Sequence, residues 1–475
     1  MSPRPFEAIS LPAGTRRPPG ERWSRERAGV RVESVFPTPE WILDVCRTLS
    51  DARDALLSRS VYDIARLLGG VGRRFAEEGD PVRSQALELL PETSGLSPAM
   101  ARAVVDGMSR GWDESALRAI LAADFPDPRA LDGFVRRGGR SSTVVGPALA
   151  VQIVAGSVPG VGVDALLRSL LVKGPTLLKP GFGDVVLPVL YARALREADP
   201  EIADALAVVY WPGGNDEVES AAISAADVVT VYGADGTVER LRSRAPVSTR
   251  FVAYHHRVSV GVVGRDALES EGSCRAAATE VARSVALFDQ RGCVCPQVVF
   301  VESGAACTSS EFSTELARAL HAIEGDLPGG HLDEAETAAL QQLRGTAELL
   351  AGGGRVRVTH GGSASWTVLH EEDEILEMPS GGRVARVRPV SSAEELPGML
   401  HPLRHHLQTV GLTGMGARTE SLARALGLIG AVRVAPFGAV PFPPPGWHHD
   451  GRGALADLTR WVDLESFGDR PDYSS

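Results

Sequence analysis

From about Thr38 to Arg136 apolar residues recur at helical spacing. "WILDVCRTLSDARDALLSRSVYDIARLLGGVGRRFAEE" predicts helix ending near Gly79, and "SPAMARAVVDGMSRGW" and "DESALRAILAADF" predict more, with Ser97 and Asp113 as N-caps. After the basic, glycine-rich joint "RRGGRSS" the texture changes. "ALAVQIVAG", "PTLLKPG", "ALAVVYWPGG" and "DVVTVYGADG" read as short buried strands, and "GVDALLRSLLVKG", "VVLPVLYARALREA" and "DEVESAAISA" as the helices between them. Strands alternating with helices imply βαβ units and a parallel sheet. Glycines and prolines cluster just past the strand C-termini, where open α/β sheets bind ligands.

A further strand, "RVSVGVVG", leads into a second α/β region holding the helix "CRAAATEVARSVALFDQ", the strand "PQVVFVE", two helices in 310–352, and the strands "RVRVTH" and "GRVARVRPV". From roughly Gly411 come a helix "TESLARALGLIG", a strand "AVRVAPFG", a proline-rich loop and a final helix "LADLTRWVDLE". The chain is therefore expected to be α/β, with two sheet-containing lobes and a helical N-terminal extension. The expected divisions are a flexible tail over 1–35, the helical extension over 36–140, a Rossmann-like domain over 141–262, a cysteine-bearing domain over 263–410 and a C-terminal segment over 411–475. No repeat of solenoid length occurs.

Composition narrows the function classes. The chain has 475 residues and a net charge of −11, which argues against nucleic acid as the main partner because phosphate binding needs a basic face. No apolar run approaches the roughly 20 residues of a membrane span. The Pro/Arg/Gly-rich N-terminus lacks the apolar core of a signal peptide. Five cysteines are too sparse for a disulfide framework and make a reducing cytoplasm the default. Of 49 basic residues only two are lysines, Lys173 and Lys179, both in one short segment. A position that keeps lysine against an arginine bias can need an ammonium on a flexible stem.

"SVALFDQRGCVCPQVVFVE" places Cys293 and Cys295 one residue apart at the mouth of a strand. Metal ligation, a redox pair, buried filler, or one nucleophile with a bystander are the available readings. Zinc sites favour Cys-x2-Cys or His at i, i+4; Cys-x-Cys with dispersed His-His pairs matches neither. A nucleophilic thiol must be partly exposed and able to ionise, which polar "DQRG" with Arg291 and the tight turn at Gly292 would favour; local polarity alone leaves nucleophile and filler both open. Cys46, Cys274 and Cys307 read as inert filler. In "VQIVAGSVPGVGVDALLRSLLVKGPTLLKPGFGD" the backbone N–H groups at the helix start suit phosphate, and Lys179 at the next strand end can reach a ribose or phosphate; the glycine spacing by itself also fits a plain turn.

Taken together, "LLKP", the strand-end turn "VYGADG" and "QRGCVCPQVVFVE" resemble the aldehyde dehydrogenase superfamily. With "RFVAYHHRVSVGVV" and "LTRWVDLE" they look like its LuxC-type acyl-CoA reductases, over nearly the whole chain beyond the first 35 residues. The resemblance implies an aldehyde dehydrogenase-like fold and Cys293, three residues before the proline, as nucleophile. It implies Gly156, Lys179, Pro180 and Gly233 as cofactor contacts. Ser157 stands where the superfamily often has an oxyanion-holding Asn, which puts the side-chain half of that hole in doubt, and Ala234 where a phosphate-contacting Ser is common. Oxidative relatives carry a water-activating Glu; here Ala253 holds that register, with no carboxylate between Phe251 and Gly264. Phe182 replaces a ribose-binding Glu, which points to NADPH, with NADH as the alternative. The implied reaction is reduction of an acyl-CoA or acyl-carrier protein thioester to the aldehyde through acyl-Cys293. His255, His256, His448 and His449 are candidate proton-transfer groups. An oxidative aldehyde dehydrogenase and an inactive binding or scaffold member are the competing readings. The superfamily resemblance also implies a homo-oligomer, dimer or tetramer.

Overall fold

In the computed structural model, the described residues are 5–27, 30–137, 140–354, 356–362, 365–372 and 381–465. They divide into two compact units: Met1–Ala86, Met108–His255 and Pro444–Ser475 form one, and Leu87–Gly107 with His256–Pro443 the other.

The first unit is built on the predicted βαβ run. Ala150–Ile153, Thr176–Lys179, Leu206–Val209 and Val228–Tyr232 are all strands, and almost every residue in them is buried. Strands covered on both faces by crossover helices read as continuous apolar runs, which is why they were legible. They lie in the order Arg250–Tyr254, Val228–Tyr232, Ala150–Ile153, Thr176–Lys179, Leu206–Val209, with Ile9–Ser10 added antiparallel at the edge. The parallel register sets Ile153 opposite both Lys179 and Val231, so three strands end at one level.

Helices over 36–140 begin as expected. Asp113 accepts the Ala116 N–H, and Ser97 the Met100 N–H, as N-caps. The first predicted helix is three, Pro39–Asp51, Arg53–Leu57 and Val61–Ala76, the last capped by Ser60.

Three expectations need correction. The segment expected to be a flexible tail carries strands: Phe6–Glu7 pairs in parallel with Val30–Val35, which pairs antiparallel with Arg22–Arg27. Residues 1–4 and 28–29 lie outside the described residues. Main-chain ladders and burial of Phe6, Ala8 and Val32 hold it, in spite of its Arg/Pro-rich composition. The final "helix" is a strand, Arg460–Leu464, paired antiparallel with Arg140–Val145; its alternating side chains fit that ladder as well as a helix. Finally, Val258–Val263, expected to close the cofactor domain, lies in the second unit, because it pairs on both sides there.

In that unit a seven-stranded sheet runs Val356–His360, Thr367–Glu371, Val384–Val390, Pro296–Glu302, Val258–Val263, Leu407–Thr413, Arg433–Pro436. Only the first pair is antiparallel. The helices Glu271–Ala286 and Ser309–Asp326 cover one face through Ala278, Val281, Phe312 and Leu316. Strands Thr367–Glu371 and Leu407–Thr413 escape the sequence reading. Cys274 and Cys307, taken as inert filler, are joined as a disulfide between the start of one of these helices and the approach to the other.

Candidate active site

In the first unit the predicted cofactor residues gather at the C-terminal ends of adjacent strands. The Val154 N–H donates to the Lys179 carbonyl at 2.9 Å, and the Gly233 N–H to the Tyr254 carbonyl at 3.1 Å. Gly156 owes its identity to a close backbone approach: a Cβ on it would fall 2.7 Å from the Gly183 nitrogen, and a Cβ on Gly181 or Gly183 would in turn fall 2.2 or 2.1 Å from Gly156 backbone atoms. Ser157 is exposed on this loop.

The helix start expected to suit phosphate is already occupied. The N–H groups of Gly160, whose φ is 101°, and Gly162 donate to the Asp184 carboxylate at 2.7 and 2.6 Å. Burial pushes the Asp184 carboxyl up to about 8 against the pull of these donors. A buried side chain thus satisfies the orphan donors a ligand would have used.

Lys179 is different. It is only 8% exposed, and its ammonium has no hydrogen-bond or ion-pair partner among the described residues. Burial pushes it down to about 8, with the more distant Glu219 pulling upward and Arg240 downward. The Glu219 carboxylate is instead taken by Arg240 and Arg244. A buried ammonium without an ion pair is costly to keep, and strongly shifted groups of this kind concentrate at functional sites. Lys173, the other lysine, is structural, paired with Asp132 at 2.7 Å.

Beside Lys179, Phe182 is gripped by the N-terminal segment that sequence reading set aside. Trp23 meets it edge-on with ring centroids 5.5 Å apart and also packs on Tyr210 at 5.4 Å. The Arg25 guanidinium lies 4.8 Å above the Phe182 ring and, among the described residues, has no carboxylate partner.

In the second unit, Cys293 sits between a strained turn and a strand. Phe288, Asp289 and Gln290 all have positive φ (57°, 51° and 61°), a left-handed run that costs of order 1–3 kcal/mol per residue unless surrounding contacts impose it. They do. Asp289 accepts from Arg383 at 2.7 Å and from the Gly330 N–H at 3.1 Å. The Gln290 amide donates to the Pro296 and Val384 carbonyls and accepts from the Val384 N–H, behaving as a short piece of strand. Arg291, expected to bring charge to the thiol, is committed to the Ser94 and His331 carbonyls and to Glu336.

The turn separates the two cysteines. Cys293 is partly exposed. Cys295 is buried, its thiol directed at the Leu287 carbonyl at 3.5 Å. Burial, with the neighbouring Cys293, pushes the Cys295 thiol up to about 12. The Ser259 hydroxyl donates to the Cys293 carbonyl at 2.6 Å and accepts the Thr409 N–H at 3.1 Å, bracing the turn from two strands at an irregularity in their register. The Gln408 side-chain amide lies 3.9 Å from the Cys293 sulfur. Neither Ser259 nor Gln408 was singled out from the sequence, although the polar pair Gln408-Thr409 interrupts an otherwise apolar strand and was a usable signal.

The candidate histidines are scattered. His255 faces Asp235 at 3.5 Å, and His449 stacks on Tyr254 and Trp447 with centroids 4.4 and 4.8 Å away. The His256 carbonyl lies 3.1 Å from the His406 ring nitrogen.

This sheet architecture is the aldehyde dehydrogenase fold. A salicylaldehyde dehydrogenase from Pseudomonas putida G7 matches 99% of this chain and 100% of its own at a TM-score of 0.77 and 14% identity. An NADP-dependent glyceraldehyde-3-phosphate dehydrogenase from Bacillus halodurans C-125, solved with NADP, covers 94% of this chain and 96% of its own at 0.71 and 16%. Within that fold the chain belongs to the LuxC acyl-CoA reductase family, whose pattern matches residues 57–461. It is 25% identical to the long-chain acyl-protein thioester reductase of Aliivibrio fischeri and 24% to long-chain acyl-protein thioester reductase 2 of Photobacterium leiognathi; each match covers 86% of this chain and 83% of the relative.

Proposed function

We propose that this protein reduces an acyl thioester, carried on CoA or on a protein, to the free aldehyde through an acyl-Cys293 intermediate, with NADPH as reductant. The observation that carries the reading is the division of the cysteine pair. In a chain of this family, Cys293 is the partly exposed thiol at the turn, and Cys295 is buried with its thiol held far from ionisation.

The Cys293 thiolate attacks the thioester carbonyl carbon. A new C–S bond forms, the bond to the carrier sulfur breaks, and the departing thiolate takes a proton. The Cys293 N–H is the backbone donor for the developing oxyanion, with Ser157 as the side-chain candidate. A reduced nicotinamide held by Lys179, Gly156, Pro180 and Gly233 would supply hydride to the acyl carbon. Cys293 then leaves with the C–S electron pair, restoring its thiolate and freeing the aldehyde. Ala253 stands in the register of the water-activating glutamate, so hydrolysis of the acyl-enzyme lacks its base. Lys179, with Gly156, Pro180 and Gly233, forms the cofactor-contacting set. The Arg25 guanidinium and the absence of a carboxylate at Phe182 favour a 2′-phosphate.

The test is aldehyde formation from an acyl-CoA ladder with NADPH, with the mass of the protein read after thioester alone. Cys293→Ala should abolish aldehyde and the acyl adduct, and Cys295→Ala should keep both. NADPH-dependent turnover surviving Cys293→Ala would end the proposal.

A further inference from the structure

Gln408 is the second residue of the strand Leu407–Thr413 and is fully buried, in a strand whose Leu407, Val410 and Leu412 are buried as well. Its Oε1 is buried with no hydrogen-bond partner among the described residues. An orphaned buried carbonyl costs about 1–3 kcal/mol, so a leucine here would serve the fold as well or better. Stability therefore does not account for the residue. Its Nε2, however, lies 3.9 Å from the Cys293 sulfur, within reach of an N–H···S hydrogen bond. The neighbouring Thr409 N–H holds the Ser259 hydroxyl that in turn holds the Cys293 carbonyl, so strand and turn are locked in register.

We infer that Gln408 is a catalytic residue, whose side-chain amide donates to the Cys293 thiolate and then to the acyl carbonyl oxygen as charge builds there. The inference rests on the reading of Cys293 as nucleophile. When the sulfur bonds to the carbonyl carbon, its lone pair becomes the new C–S bond and the carbonyl π pair moves to oxygen, two bonds from the sulfur. A donor aimed at the sulfur lies close to where that charge arrives, and an amide has two N–H groups with which to follow it. No proton need change hands. The arrangement also answers a deficit in the sequence, where Ser157 stands in place of an amide side chain. Gln408 supplies an amide from a different strand.

Two measurements test this: the pH midpoint of Cys293 alkylation by iodoacetamide, and the rate of Cys293 acylation by a medium-chain acyl-CoA without cofactor. Gln408→Leu should raise the midpoint by about one unit and slow acylation about a hundredfold, with thermal stability unchanged or raised. Gln408→Met, unbranched and equally long, should do the same and serves if the leucine variant does not fold. An unchanged midpoint and rate in a folded variant would overturn the inference. Cys293→Ala separates the two levels. If it still acquires the acyl mass, the nucleophile reading itself fails; if it does not while the Gln408 variants acylate normally, only the role of Gln408 fails.

Discussion

Lys179 shows what keeping one buried residue costs, and the proposed cofactor role makes that cost testable. Its ammonium is buried, unpaired among the described residues and pushed down to about 8. Since the folded value lies below the ordinary 10.5, the folded protein binds fewer protons between pH 8 and 10.5, and the burial penalty is relieved as pH rises through that window. A bound anion reverses the preference by favouring the charged form. NADPH affinity should therefore fall above pH 8, by up to about tenfold per unit, and Lys179→Met should bind weakly with a flat profile. Titration of NADPH fluorescence across pH checks both, and a pH-independent wild-type dissociation constant would contradict the assignment. Lysine scarcity singles the residue out in the sequence; that Arg240 and Arg244 take the Glu219 carboxylate is visible only in the fold.

At the scale of elements, the N-terminal hairpin carries more than its composition suggests. Trp23 and Arg25 on Arg22–Arg27 reach Phe182, which follows Lys179 by three residues. If Arg25 meets a 2′-phosphate, Arg25→Ala should weaken NADPH binding about ten- to hundredfold, the worth of a charge-assisted hydrogen bond, and leave NADH unchanged. Calorimetric dissociation constants for the two cofactors decide this, and an unchanged ratio refutes it. The turn before Cys293 is the other element whose conformation depends on distant partners. Nothing in "FDQ" announces three left-handed residues. Arg383, Gly330 and Val384 impose them, from positions about 40 to 95 residues further on.

For the whole molecule, the second unit is tied by buried ion pairs that make acid stability readable. Glu302 is fully buried at the end of Pro296–Glu302. Burial pushes its carboxyl up, but Arg418 and the N–H groups of Ala393 and Arg265 outweigh burial and hold it down at about 2. With the folded value depressed, this stabilisation is complete above the ordinary 4.5 and is lost as pH falls toward 2. Glu302→Gln should lower stability at neutral pH by about 2 kcal/mol and flatten the decline between pH 4.5 and 2. Urea denaturation at several pH values measures it, and a variant with the wild-type slope would contradict it.

The alternation of apolar strands and helices, and with it the parallel sheet, is written in the local pattern of residues, because strands buried on both faces must be apolar throughout. The Cys-x-Cys motif and the two lysines of the chain stand out there too. Tertiary structure decided which strands share a sheet, turning "RWVDL" from expected helix to strand and moving Val258–Val263 to the second unit. Pairing partners lie far off in the chain, and local pattern does not encode them. It decided that Asp184 occupies the helix start and that Arg291 turns away to Ser94, His331 and Glu336. It also brought Gln408 to the Cys293 sulfur. Each of these depends on which distant group satisfies a buried donor or charge, a question answered only when the chain is folded.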